Sequence, residues 1–248
     1  MYRGKTVSVV LPVYNERENI RNAIEQFLAH PAVDEVVAVS NNSNDGSDDE
    51  IAKTRAVHVR ESLQGYGAAL QRGMQEATGE LIVTTEPDGT FFVGDLDRFL
   101  SAGETYDVVI GSRTHASYIL PGANMDFALK WGNWAVARML QILFLGPHQT
   151  DVGDGYKLMH RQAYERIRGR LTVQGSHFSP DFMMQAILAR VSIKEIPIHY
   201  GPRIGTSKIT GDRMKAVRLG FRMIFLILAT RWKTLWQRGA AKSQPLHG

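Results

Sequence analysis

The chain has 248 residues, no cysteine and a formal net charge of +4. Such a length suits one large α/β domain or two small ones. Without cysteine, disulfides, thiolate catalysis and Cys-based zinc or iron–sulfur sites are excluded. The charge is uneven: from Gly201 onward there are ten basic residues and a single acid, Asp212, while the first 200 residues hold nineteen bases and twenty-four acids. A basic tail on an acidic body points to an anionic partner or surface, or to a tail that only solubilises.

MYRGKTVSVV enters a strand at once, with no apolar h-region and no small-residue cleavage site, so no signal peptide is expected. The first strand, Thr6 to Leu11, is expected to end at Pro12. A helix follows, with Ile20, Ala23, Ile24, Phe27 and Leu28 at helical spacing. DEVVAVS reads as the second strand and runs into the polar loop NNSNDGSDD, where Asp45 and Ser47 can cap the next helix. AVHVRE is a short third strand. Gly65-Tyr66-Gly67 then opens another helix. The two glycines match part of a dinucleotide fingerprint, but the third is missing and the turn follows the wrong strand. A phosphate at that helix N-terminus and a plain strand-to-helix turn stay equally open.

The fourth strand, Leu81 to Thr85, stops on Glu86-Pro87-Asp88-Gly89. Pro87 lacks an N–H and holds Glu86 extended, so the ladder ends there. Residues i and i+2 of an extended segment point the same way, so Glu86 and Asp88 project together. Two hard oxygen ligands side by side suit Mg²⁺ or Mn²⁺, with substrate phosphates completing the shell. The helix GDLDRFLSA leads to a fifth strand, DVVIGSR. This alternation predicts an α/β fold with a mostly parallel sheet flanked by helices. Ligands in such sheets bind beyond the carboxyl ends of the strands. Pro12 to Glu16, Asn41 to Asp45, Glu86, Asp88 and Arg113 all fall at that edge.

The second half opens with DFALKWGNWAVARMLQILFL, apolar nearly all round except for Lys130, Asn133, Arg138 and Gln141. It is either a buried helix or one whose outer face meets lipid. In HFSPDFMMQ, Asp181 can cap the helix that follows. Gly201 and Gly205 give hinges to a basic loop carrying Arg203 and Lys208. The last helix, Asp212 to Gln237, sets Met214, Val217, Phe221, Ile224, Leu228, Trp232 and Leu235 on one face, with Lys215, Arg218, Arg222 and Lys233 away from it. That is the pattern of a helix lying in a membrane interface. The same stripe could pack on the body or on a second subunit. No apolar run reaches the ~18–20 residues of a spanning helix. The histidines show no zinc-binding spacing.

Seven stretches occur in a familiar order over residues 6 to 210: VVLPVYNERENI, SNNSNDGS, GYGAALQRGMQEATGE, EPDGTF, VVIGSR, TDVGDGYKLMHR and EIPIHYGPRIGTSK. Together they resemble the family 2 glycosyltransferases of the GT-A fold, close to the dolichol-phosphate mannose synthase branch. The resemblance implies a GT-A domain over 1–211, with a nucleotide-sugar half at 1–115 and an acceptor half at 116–211. An amphipathic basic helix at 212–238 and a flexible tail at 239–248 would follow. It implies inverting transfer of a sugar from a GDP- or UDP-linked donor, with Mg²⁺ or Mn²⁺, to a polyprenyl phosphate. Alternatives are a hydroxyl acceptor on a glycan or small molecule, and a nucleotide-sugar binding module with little catalysis. Pro12, Tyr14, Asn15 and Glu16 would line the nucleoside, the loop Asn41 to Asp45 the base and ribose, and Gly65 and Gly67 the donor. Glu86 and Asp88 stand in the place of the family's metal-binding D-x-D. Arg113, Lys130 and Asp151 would bind substrate. Asp181 would be the acceptor-side acid, and Arg203 and Lys208 the basic loop that closes on phosphates. Two departures matter. Glu86 replaces the first aspartate of the metal motif, and Ser40 and Asn41 replace two aspartates of the base loop, which leaves the base unspecified. The implied setting is peripheral, on the cytoplasmic face of a membrane, with no nucleic acid partner and with self-association open.

Overall fold

The structure is a computed structural model that describes residues 1–123, 127–204 and 213–242, with side chains throughout except at 127–129, 213, 215–216 and 238–242. Lys208 therefore lies outside the described residues. The chain runs β1 (Val7–Val13), α1 (Ile20–Ala29), β2 (Glu35–Ser40), α2 (Ser47–Ala52), β3 (Val57–Arg60), α3 (Tyr66–Glu76), β4 (Leu81–Thr84), α4 (Leu96–Ala102) and β5 (Val108–Ser112). It continues through α5 (Phe127–Phe144), β6 (Lys157–His160), α6 (Arg161–Ile167), α7 (Phe178–Leu188), β7 (Ile193–Pro197) and α8 (Arg213–Lys242). The strands form one sheet in the order β3-β2-β1-β4-β6-β5-β7. All pairings are parallel except those of β6, which runs antiparallel to both β4 and β5.

The β-branched runs make the centre because successive residues of a strand face opposite sides. Val10, Val37, Val39 and Ile82 enter one apolar core, with residues of α3, α5, α6 and α7. Val9, Leu11, Val36, Ala38 and Val83 enter the other, with α1 and α4. Both faces are covered, so the strands read as continuous apolar runs. The five expected strands are present. β6 and β7 were not anticipated from the sequence.

β1 continues through Pro12 to Val13, past its expected end. Val13 accepts the Asn41 N–H on the β2 side, and Val10 accepts the Thr85 N–H on the β4 side. Pro12, two residues beyond Val10, would aim its N–H toward the β4 side, where the β1–β4 pairing has already ended at Val10 opposite Thr84. The proline thus removes a donor that the sheet does not use there.

α8 packs through Leu226 and the fully buried Ile227, and Arg231 lies over the Phe144 ring of α5 at 5.9 Å. The stripe expected to be apolar faces outward: Met214, Val217, Phe221, Leu228, Trp232 and Leu235 are exposed, joined by Phe225 and Trp236, while Ile224 is half-buried. Arg218, Arg222 and Lys233 are exposed beside it. On α5, Trp131, Trp134 and Ile142 are exposed as well. Among the described residues no helix is long and apolar enough to cross a membrane.

α3 lies flush on the sheet at Gly73. A Cβ there would stand 2.3 Å from Val10 Cγ1 and 2.9 Å from a Val39 methyl. Overpacking of this kind typically costs ~1–3 kcal/mol. Gly73→Ala is therefore expected to lower the urea midpoint without changing the slope of unfolding; an unchanged midpoint would show that α3 can lift off the sheet freely.

Candidate active site

Parallel strands deliver their carboxyl ends to one edge. β1 supplies Tyr14 to Glu16, β2 supplies Asn41, β4 supplies Glu86 to Asp88, and β5 supplies Arg113. Because β6 is reversed, it brings its beginning to the same edge: Lys157 pairs with Thr84. The segment before it, Thr150 to Tyr156, is thereby set beside Glu86. β7 adds the segment that follows Pro197.

Glu86 and Asp88 are both drawn in from solvent, yet they meet different partners. Tyr66 donates its hydroxyl to Glu86 Oε1 at 3.1 Å. Gly155 packs against the same carboxylate, with an added Cβ only 2.6 Å from Oε1. Burial, then the neighbouring Asp88 charge, raises Glu86 to about 7. Asp88 Oδ1 accepts the Thr90 N–H at 3.0 Å and the Thr90 hydroxyl. Its Oδ2 meets Arg203 Nη1 at 2.8 Å. Arg203 Nη2 reaches Glu16 Oε1 at 2.7 Å. Glu16 is raised by burial, against the pull of Asn19 and Arg203.

Arg113 and Asp151, both expected to bind substrate, bind each other. Arg113 Nε and Nη2 donate to the two Asp151 oxygens at 2.8 and 2.9 Å, and the Arg113 amide adds a third bond at 3.1 Å. Burial opposes ionisation of Asp151, but the Arg113 charge and these bonds hold it below the usual range. Glu195 accepts the Thr150 and Asp151 amides and fixes this loop. The Arg113 guanidinium also lies over the Tyr200 ring at 5.4 Å.

Several expected site residues turn out to serve the chain itself. Asn41 spends its amide on the Glu61 and Leu63 carbonyls, at 2.8 and 2.9 Å, and its oxygen on the Gly65 N–H at 2.7 Å. Its place is thus a bracket between loops, not an open reader of a base. Gly65 and Gly67 admit the backbone of residues 173–174: an added Cβ would lie 2.2 Å from the Gln174 carbonyl at Gly65 and 2.5 Å from the Val173 carbonyl at Gly67. The Ala68 N–H is taken by the Gln174 carbonyl at 3.0 Å. Of the two readings left open for this α3 N-terminus, the approach of the 173–174 backbone favours the plain strand-to-helix turn. Asp181 is not a cap either. His177 holds the N-cap of α7, and Asp181 lies in its first turn. Its carboxylate is 1% exposed and accepts the Thr172 and Val173 amides, each at 3.0 Å, and the Gln185 amide at 3.0 Å. Asp181 therefore secures the loop that seats on Gly65 and Gly67.

The remaining expected residues keep to the edge. Asn15 adopts a left-handed backbone, with φ of 55°, and accepts the Asn44 N–H at 2.9 Å. Tyr14 is 41% exposed. Asp45 accepts the Ser47 and Arg17 amides; burial opposes its ionisation, but these bonds and the Ser47 hydroxyl hold it below its ordinary value. Pro12 is buried in β1. Lys130 lies half-buried on α5, one turn before Asn133, which approaches Gly153.

Sequence reasoning missed Tyr66, Asp154, Lys157 and Tyr200. Burial raises Asp154 to about 7 against the pull of Arg113 and Lys157, and its Oδ1 has no hydrogen-bond partner among the described residues. Burial lowers Lys157, which donates to the Asp154 carbonyl and to Ser179 Oγ. A second acid three residues after Asp151 was the visible signal.

The donor set fits a hard divalent cation. Glu86 and Asp88 offer oxygen only, and like charges crowded out of water are relieved by a dication. No group of three or more His, Asp or Glu able to hold a metal occurs among the described residues. Protein oxygens alone leave a shell for substrate phosphates to complete.

Residues 8–168 match the sequence family described as glycosyl transferase family 2. The chain belongs to glycosyl transferase family 2. The transferase is 30% identical over 217 residues to a dolichyl-phosphate hexose transferase of Haloferax volcanii, covering 84% of this chain and 88% of the relative. It is 29% identical over 212 residues to a low-salt glycan biosynthesis hexosyltransferase of the same organism, covering 82% of this chain but 50% of that one. The chain thus spans about half the length of the latter relative. Among solved structures, glucosyl-3-phosphoglycerate synthase of Mycobacterium tuberculosis, in complex with Mn²⁺, uridine diphosphate and glucosyl-3-phosphoglycerate, superposes with a TM-score of 0.68 at 19% identity, covering 92% of this chain and 80% of its own. Mannosyl-3-phosphoglycerate synthase of Rubrobacter xylanophilus gives 0.72 at 16% identity, covering 99% and 78%. These likenesses establish the GT-A fold of the transferase.

Asp154 supplies a test by pH. Its folded value near 7 lies above the ordinary 3.8, so between those limits the folded chain holds a proton that the unfolded chain has released. The stabilisation this gives is complete below about pH 4 and is lost as pH rises through about 7. Asp154→Asn lacks the titration. Its stability relative to the parent chain, from urea unfolding at constant ionic strength, is expected to rise from pH 4 to pH 8. A pH-independent difference would show that Asp154 is ionised throughout.

Proposed function

We propose that this glycosyltransferase moves a hexose from a nucleoside-diphosphate sugar to a polyprenyl phosphate, with inversion, in the presence of Mg²⁺ or Mn²⁺. The observation that carries the reading is the pair of acids Glu86 and Asp88 at the carboxyl edge of a family 2 sheet, with Arg203 bridging Asp88 to Glu16. Displacing a nucleoside diphosphate from C1 builds negative charge on the leaving phosphates. Asp88, backed by Glu86, would hold a divalent cation, whose charge would stabilise those phosphates. Arg203 adds a preorganised positive group beside it. Residues 1–115 act as the donor half, and the loop of Tyr14 to Glu16 with Asn42 to Asp45 frames the nucleoside, GDP- or UDP-linked. Residues 116–211 act as the acceptor half, where Lys130 faces the incoming phosphate together with Arg113 of the first half, which Asp151 sets in place. Lys208 belongs to this set by sequence alone.

Two observations favour a lipid phosphate over a hydroxyl acceptor. A hydroxyl needs a base to take its proton, and Asp181, the acid expected there, is tied to two amides and Gln185. A phosphate is already ionised and needs none. The outward stripe of α8 also suits a membrane surface, with each cation near an anionic surface adding about 1 kcal/mol. The relative named for dolichyl phosphate supports the same acceptor. On this reading the enzyme works at a membrane surface, on its cytoplasmic face as the resemblance implies, with α8 lying along it.

Turnover with polyprenyl phosphate, scanned over UDP- and GDP-sugars in Mn²⁺, tests the chemistry. Asp88→Ala is expected to lower kcat at least about 100-fold with an unchanged far-UV spectrum, and EDTA to abolish turnover reversibly. Full activity in EDTA would overturn the metal dependence.

Flotation tests the surface. The full chain is expected to float with vesicles rich in anionic lipid, and the double variant Phe225→Asp, Trp232→Asp to stay in the dense fraction. If the parent chain also stays down and no polyprenyl phosphate is glycosylated, the hydroxyl acceptor takes precedence.

A further inference from the structure

The segment after β7 is fastened over the acid turn one residue at a time. His199 donates its N–H to Asp95 Oδ2 at 2.7 Å, and its ring sits 2.9 Å from Asp95 Oδ1. Tyr200 bridges to Phe91. The Gly201 N–H reaches the Thr90 carbonyl at 2.9 Å, and the Ile204 N–H reaches the Asp88 carbonyl at 2.9 Å. Asn19 donates to the Ile204 carbonyl at 3.1 Å while also donating to Glu16 at 2.9 Å. Gly89, with φ of 81°, leaves room for the Ile204 side chain, which would stand 2.9 Å from an added Cβ. The strap ends with the Arg203 guanidinium between Glu16 and Asp88.

This placement has a consequence for the cation. Asp88 has two oxygens. Oδ1 is committed to the amide and hydroxyl of Thr90. Oδ2 is what remains to ligate a metal, and Arg203 Nη1 holds it at 2.8 Å. A guanidinium and a divalent cation compete for that one oxygen, and two cations drawn onto a single carboxylate repel each other. Arg203 must therefore leave Asp88 before a metal can bind there. The donor supplies the reason to leave: its diphosphate offers the fork a bidentate anion in exchange for two carboxylates.

We propose that Arg203 is an internal counter-ion that closes the cation site of the unloaded enzyme and is exchanged, on donor binding, for the metal that arrives with the diphosphate. Asp88 passes from guanidinium to metal, and the guanidinium passes from carboxylates to phosphate. Asp88 Oδ2 has a cationic partner in both states, and free metal without a nucleotide is turned away. The strap is thus a lock on loading as well as a group that serves the phosphates. This inference rests on the metal-dependent transfer proposed above.

Mn²⁺ alone is the first probe, followed by Mn²⁺ with UDP or GDP. The free Mn²⁺ signal in electron paramagnetic resonance is titrated with the full chain, with Arg203→Ala and with Arg203→Gln, the last keeping most of the side chain's bulk and polarity in case the alanine variant does not fold. Without nucleotide, both variants are expected to bind Mn²⁺ at least about tenfold more tightly than the parent chain. With nucleoside diphosphate, the same variants are expected to bind the metal–nucleotide complex more weakly, with kcat/KM down more than about tenfold. Opposite signs in the two titrations are what a counter-ion exchange requires, and a merely structural strap gives losses in both. Unchanged or weaker binding of Mn²⁺ alone overturns the lock while leaving the transfer reading in place. If no form of the chain holds Mn²⁺ even with nucleotide, the metal-dependent reading falls, and the lock falls with it.

Discussion

The sheet's carboxyl edge gathers more acid than it can neutralise. Glu16, Glu86, Asp88, Asp151 and Asp154 meet there, with Arg113, Lys157 and Arg203 as the cations among the described residues that face them. Charges withdrawn from water must be paired, solvated or discharged. Arg113 settles on Asp151 in a two-pronged pair. Arg203 spans Asp88 and Glu16. Glu86 keeps the Tyr66 hydroxyl and Asp154 a longer approach of Arg113 Nε at 3.8 Å, and burial pushes both to about 7. The deficit sits beside the one turn whose acids share a strand end. The dication proposed for this turn would relieve that deficit.

The reversed strand β6 makes that gathering possible. In an all-parallel sheet, the edge of ligand binding receives strand ends only. β6 runs the other way between β4 and β5, so it contributes its start. The loop that carries Asp151 and Asp154 is thereby set between Glu86 on one side and Arg113 on the other. Glu195, from β7 on the far side of β5, holds the loop's amides. The glycines of TDVGDGY serve contact rather than motion at two points: a side chain at Gly155 would strike Glu86, and one at Gly153 would strike Asn133.

What could be read from the sequence follows from periodicity and from covalent limits. The β-branched runs and the i, i+2 relation of Glu86 and Asp88 need no knowledge of the rest of the chain. β6 was invisible because KLMH is four residues long and opens on a lysine. β7 was invisible because IKEIP is only half-buried. Residue type also says little about who claims a side chain. Asn41 and the pair Gly65 and Gly67 carry the types that a nucleotide site needs, yet the claimant is the chain's own backbone. For Asn41 that backbone is the 61–65 loop, and for the two glycines it is the 173–174 segment, about a hundred residues away and held by Asp181. The Asp181 carboxylate, read as base or cap, is in fact a tie between a loop and a helix. Such uses depend on long-range approach, which no local window reports.

α7 joins the two functions assigned to this molecule. Its first turn lies under the acid cluster, where Ser179 meets Lys157 and the Asp154 carbonyl. Its body packs in the same apolar core as α5 and the buried Ile227 of α8. One helix thus spans the distance between the charged edge and the layer that carries the outward aromatic stripe. A stripe of eight large apolar side chains on α8 is costly to leave in water, and its cations lie to one side of it rather than among it. A folded partner would need an apolar surface of matching length, whereas a lipid surface accepts any length and meets the cations with headgroups. A lipid-linked phosphate held at that surface would be presented to the charged edge by the orientation of α8 alone, without a spanning segment.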